Sequence, residues 1–122
     1  MKTIKVAEAT HAQLDWLVAK ILHGIPRGMS CLRVVRGRPE VLTDGGNPMG
    51  TRRLTNYSTD WSQGGPIIER EKISVVEGMD GDWQAGMRPY KFRYGPTPLI
   101  AAMRCYVVSK MGDTAEVPEE LK

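Results

Sequence analysis

Tyr57-Ser58-Thr59-Asp60-Trp61-Ser62-Gln63-Gly64-Gly65 is the stretch of this 122-residue chain best equipped to hold a ligand. Its two aromatic faces, Tyr57 and Trp61, could stack on a planar base. The hydroxyls of Ser58 and Thr59, the Asp60 carboxylate and the Gln63 amide could satisfy the edge of that base and a ribose. Gly64 and Gly65 permit close backbone approach, and a helix N-terminus there would offer free amides to an anion. The same residues have a purely structural reading, in which Ser-Thr-Asp caps a helix and both rings cover the core. Arg104 joins the candidates because it interrupts an otherwise apolar helical stretch. It reads either as the partner of a buried carboxylate, Asp60 or Glu69, or as a clamp for a ligand phosphate.

Other chemistries find less support. Glu69 and Glu71 flank Arg70, but neighbouring positions on a helix do not face one another, so a surface ion pair such as Glu69 with Arg104 is expected instead of an acid–base pair. Cys31 and Cys105 lie far apart in apolar stretches and form no Cys-x-x-Cys unit, which points to inert buried thiols. His11 and His23 sit at opposite ends of one helix, too far apart to share a metal. The Gly-rich run Asp44–Gly50 has no Walker lysine and no helix after it. With no Ser–His–Asp set either, neither an enzyme nor a cofactor or metal is expected.

Composition narrows the classes further. Hydrophobic residues make up 41% and charged residues 25%, as in an ordinary globular protein. No run approaches the ~18 apolar residues of a membrane span, and the N-terminus leads into no signal-peptide core, so a cytoplasmic protein is expected. Residues 1–53 hold nine Lys/Arg against four Asp/Glu, a net of +5, while residues 54–122 hold eight against ten, a net of −2. The excess is nearly all arginine: Arg27, Arg33, Arg36, Arg38, Arg52 and Arg53. At +3 overall, a solvated arginine-rich surface is favoured over nucleic-acid binding.

The elements that would position these residues follow from periodicity and punctuation. Thr10-His11-Ala12-Gln13 is a capping box, and Leu14, Leu17, Val18, Ile21 and Leu22 form one stripe of a helix over 10–23 that ends at Gly24. Trp16 falls off the centre of that stripe, either on a flank of the core or on a contact surface. Residues 24–56 read as irregular, with a short strand from Cys31 to Val35 pairing Val41-Leu42 across a turn at Gly37-Arg38-Pro39. A helix is predicted over 60–71, capped by Thr59 or Asp60, with Pro66 in a first turn because Gly64-Gly65 weaken what precedes it. Strands at 73–77, 83–85 and 90–94 then make an antiparallel meander around the turn Gly78–Asp82. Thr97-Pro98 opens a last helix over 97–111, apolar on most of its circumference, that ends at Gly112. An acidic tail from Asp113 to Lys122 is expected to pack only loosely. The fold class is therefore α+β in one domain over 1–122, with a small antiparallel sheet and about three helices in an α–β–α sandwich-like arrangement. So apolar a last helix also suggests a homo-oligomer.

Three segments resemble one family. They are Leu14-Asp15-Trp16 with Val18-Ala19-Lys20, the run from Tyr57 to Glu71, and the run Gly95-Pro96-Thr97-Pro98-Leu99-Ile100-Ala101-Ala102-Met103-Arg104-Cys105-Tyr106 with Ser109-Lys110 and Val117-Pro118. Together they are similar to the phage NinX family, small phage and prophage proteins of unassigned biochemistry. The resemblance implies a phage origin, and so the cytoplasm of an infected bacterium, and carries over no catalytic residue. The expected function is a binding protein that sequesters a small nucleotide-derived molecule, such as a host immune signal, with Tyr57, Ser58, Thr59, Asp60, Trp61, Gln63 and Arg104 as its site. The alternatives are an accessory protein that docks on a host or phage protein through Trp16 and the last helix, or a weakly basic nucleic-acid binder.

Overall fold

Thr10 and Gln13 exchange hydrogen bonds at the head of the first helix, α1 (His11–His23). The Thr10 amide donates to Gln13 Oε1 at 3.0 Å, and the Gln13 amide donates to Thr10 Oγ1 at 3.3 Å. This is the reciprocal capping box that the sequence predicts. Leu14, Leu17 and Val18 are buried, while Ile21 and Leu22 pack at the margin. Trp16 is buried as well, only 1% exposed, so it is core and not a contact surface. The helix is enclosed on more sides than its apolar stripe alone requires, and Asp15 is drawn inside with it. The computed structural model describes residues 2–23, 32–35, 38–42, 51–53, 56–87, 92–119 and 121. Gly24, Cys31, Gly37 and the Asp44–Gly50 loop lie outside them.

The second helix, α2, spans Trp61–Glu71, with Asp60 as its N-cap. It runs straight through Gly64-Gly65, so Pro66 lies inside the helix and not in its first turn. The physical reason is contact. A Cβ at position 64 would collide with the Tyr57 carbonyl and the Leu99 side chain, so glycine there lets α2 seat directly on its neighbours. The meander follows as β5 (Ser74–Glu77), β6 (Trp83–Gly86) and β7 (Arg93–Gly95), antiparallel in that order. Thr97 Oγ1 then accepts from the Ile100 amide at 3.1 Å, capping α3 (Pro98–Met111) with proline in its first turn.

Helix α3 is the centre of the molecule. Leu99, Ala101, Ala102, Met103, Cys105, Tyr106 and Val107 are all buried, and α1, α2 and the three meander strands pack around them. Its apolar circumference is therefore covered by its own chain, which removes the ground for requiring a second copy to cover it. Burial pushes the Cys105 thiol up from its usual value, as an inert packed thiol requires.

Among the described residues the strands fall into three antiparallel sheets, two of which, the meander and the pairing of 32–35 with 41–42, the sequence anticipates. Besides the meander there is β2 (Leu32–Val35), β3 (Arg38–Leu42) and β4 (Thr51–Arg53) in the order β2-β3-β4. Val35 pairs with Arg38, so Arg38 and Pro39 belong to β3 and not to the turn. The third sheet is a pair that sequence reading missed, β1 (Lys2–Lys5) with β8 (Thr114–Val117). The tail is thus no loose appendage. Ala115 and Val117 point inward, Leu121 is 2% exposed, and the Gln13 amide group donates to the Leu121 carbonyl at 3.3 Å. Burying side chains the size of Val117 and Leu121 is worth about 1.5–3 kcal/mol each. The class stands as α+β, with three α-helices among the described residues. No helix among the described residues is long and apolar enough to cross a membrane.

Candidate functional site

The Tyr57–Gln63 stretch divides at Thr59. Before it, Tyr57 is 7% and Ser58 1% exposed. The Ser58 amide and hydroxyl both donate to Asp15 Oδ1, at 2.8 and 2.7 Å, and its oxygen also lies 3.2 Å from the His11 carbonyl. This half joins the chain to α1. A tight turn follows, in which the Thr59 and Asp60 amides donate to the Asn56 carbonyl at 3.3 and 2.9 Å. Thr59, Asp60, Trp61 and Gln63 then emerge on the surface at the head of α2, with Trp61 54% exposed.

The helix N-terminus is already occupied. Asp60 Oδ1 accepts from the Ser62 amide at 2.9 Å and from the Ser62 hydroxyl at 2.7 Å, and these bonds hold its carboxyl below the usual carboxylate range. The Asp60 carbonyl takes the Gln63 and Gly64 amides at 3.0 and 2.9 Å. An external anion arriving there would meet the protein's own carboxylate where free amides were expected.

Arg104 is elsewhere. Its Nη1 donates to the Tyr94 carbonyl at 3.0 Å and its Nη2 to the Ala9 carbonyl at 3.1 Å. Its Nε is buried without a hydrogen-bond partner among the described residues, and burial lowers the pKa of the group from the usual arginine value. Neither Asp60 nor Glu69 pairs with it, contrary to expectation. The anion at the α2–α3 contact is Glu71, which lies 3.5 Å from Lys110 Nζ and 3.9 Å from Arg70 Nε. Arg70 also donates to the Tyr106 hydroxyl at 3.4 Å.

An open cleft of about 760 Å³ runs beside Arg104, along β7 and the start of the chain. Lys5, Arg93 and Arg104 supply cations to it, Phe92 and Tyr94 supply rings, and Asp82 and Asp113 are its carboxylates. Arg93 Nη2 lies 2.9 Å from Asp113 Oδ1, so the cleft keeps a positive balance with one cation already engaged. None of Tyr57–Gln63 lines it. Of the residues expected to form one site, the structure therefore leaves Arg104 with new neighbours. The signal that could have found them is the run Phe92-Arg93-Tyr94, in which a cation and two rings alternate.

The sequence profile of the family described as Bacteriophage P22, NinX matches residues 5–110. The chain belongs to this family. No curated protein matches it. The NinX match takes in the head of α2 and Arg104, and it bears out the resemblance carried by the α1, α2 and α3 segments.

Proposed function

We propose that this NinX-family protein binds and sequesters a small nucleotide-derived molecule in the cleft beside Arg104. The supporting observation is the lining, where three cations and two half-exposed rings share a concavity within the size range of small-molecule sites. Lys5 and Arg93 would meet phosphate oxygens, and Phe92 or Tyr94 would stack on a base. Arg104, committed to two carbonyls, would shape the wall and add its charge. Membership of a phage family favours a ligand of host origin, and a nucleotide immune signal is the class that fits both the cleft and that setting.

Calorimetry of the purified protein against AMP, cyclic mononucleotides and ADP-ribose tests the reading, with chromatography of any ligand released on heating. Binding that Lys5→Ala or Arg93→Ala weakens, with ligand released unchanged, is the expected result. Converted ligand would mean catalysis, and no binding at millimolar concentration would overturn the reading. Trp61→Ala should leave affinity untouched. A loss of roughly tenfold to hundredfold would move the site to the head of α2.

A further inference from the structure

We infer that Asp113 is the resident anion of this cleft, holding on Arg93 the place that a ligand phosphate takes when it binds. The inference rests on the binding reading above and adds to it the residue that sets how readily the site accepts an anion.

Strand pairing roots Arg93 opposite Ala85, on the face of the meander turned toward α3. Its side chain is 26% exposed and ends at the cleft, which both Arg93 and Asp113 line. The guanidinium makes two bonds of different character there. Nη1 donates to the carbonyl of Phe92, its neighbour in the chain, at 3.2 Å. Nη2 donates to Asp113 Oδ1 at 2.9 Å, and the Asp113 side chain is 80% exposed. The bond to the main chain keeps the guanidinium in place. The bond to the carboxylate is exchangeable, because exposed ion pairs are weakly held and water receives the carboxylate as it leaves.

Asp113 can leave without disturbing the fold. Its own carbonyl accepts from the Val6 amide at 2.9 Å, which anchors the main chain between α3 and β8. Only the side chain has to rotate. Arg104 offers no such exchange, since its Nη1 and Nη2 donate to the main-chain carbonyls of Tyr94 and Ala9. Asp82, the other carboxylate of the cleft, forms no ion pair among the described residues. A carboxylate and a phosphate offer a guanidinium the same kind of charged acceptor oxygen, so one can replace the other on Nη2. An uncharged ligand brings no anion to exchange.

The test is calorimetry with AMP and adenosine on the whole protein, comparing the parent with Asp113→Asn and Asp82→Asn. Asp113→Asn removes the competing anion and should tighten AMP by about twofold to fivefold, the range that an exposed ion pair spans. Asp82→Asn takes one charge from the same cleft without releasing a cation, and its gain should be smaller. Adenosine should not distinguish the three proteins. In an Arg93→Ala background Asp113→Asn should lose its advantage, because the guanidinium on which the exchange occurs is gone. Circular dichroism matching the parent shows that each variant folds. Equal gains from the two Asn variants would reduce Asp113 to its share of the cleft's field and overturn the inference. So would a matching gain for adenosine, or an AMP affinity that Asp113→Asn leaves unchanged or weakens; each of these leaves the binding reading intact. Failure of the parent and both variants to bind AMP at millimolar concentration would overturn both.

Discussion

Asp15 Oδ1 accepts from the amide and hydroxyl of Ser58 at 2.8 and 2.7 Å, and Asp60 Oδ1 accepts the same pair from Ser62 at 2.9 and 2.7 Å. The bonds are nearly identical, but the surroundings are opposite. Asp15 is 2% exposed, and burial pushes its carboxyl above the usual range, with the Ser58 bonds and the charge of His11 pulling it partway back. Asp60 is exposed, so the Ser62 bonds dominate and hold its carboxyl down. A hydrogen-bond inventory alone would give the two residues one role. Desolvation gives them two, a buried tie between α1 and the chain leading into α2, and a solvated helix cap.

The contrast is broken most directly at Asp15. Asp15→Ala leaves the buried amide and hydroxyl of Ser58 without their acceptor, and a loss of about 3 kcal/mol is expected in urea denaturation. Asp60→Ala should cost less, because water replaces the lost acceptor. If the two variants fell equally, burial would not be what separates the sites.

The serines sharpen the comparison at smaller scale. Ser58→Ala removes one donor from a buried carboxylate and should destabilise by about 1–3 kcal/mol. Ser62→Ala alters an exposed cap and should stay within about 0.5 kcal/mol of the parent.

The gentlest test is pH. The raised carboxyl of Asp15 binds its proton more tightly in the folded state, so its contribution is complete below the usual carboxyl range and is lost as pH rises through the raised value. The lowered carboxyl of Asp60 contributes above the usual range, and that contribution is lost as pH falls through the depressed value. Stability profiles of Asp15→Asn and Asp60→Asn should therefore each lose a slope, on opposite sides of the ordinary carboxyl range.

Features written in a few adjacent residues were legible in the sequence. The Thr10–Gln13 box, the Thr97-Pro98 start of α3, the stripe of α1 and the order of the meander each depend on neighbours within one turn or hairpin. What needed the whole chain was hidden. Lys2–Lys5 has no partner until Thr114–Val117 returns beside it, and the inward turn of Ser58 is set by Asp15, 43 positions away. The candidate site was legible only in part for the same reason. Arg104 stands out as a charge in an apolar helix, but its partners are backbone carbonyls, which residue types do not advertise. The exposure of Trp61 and the burial of Tyr57 depend on which side of one tight turn faces α1.

The Arg104–Tyr94 bond bears on how the sheet can grow. An edge strand with vacant carbonyls invites another chain to add itself, the usual route to swapped or fibrillar assemblies. Among the described residues β7 is such an edge, and Arg104 takes its Tyr94 carbonyl from within the same molecule. The guanidinium thereby plugs the acceptor an incoming strand would use and screens that border with a positive charge.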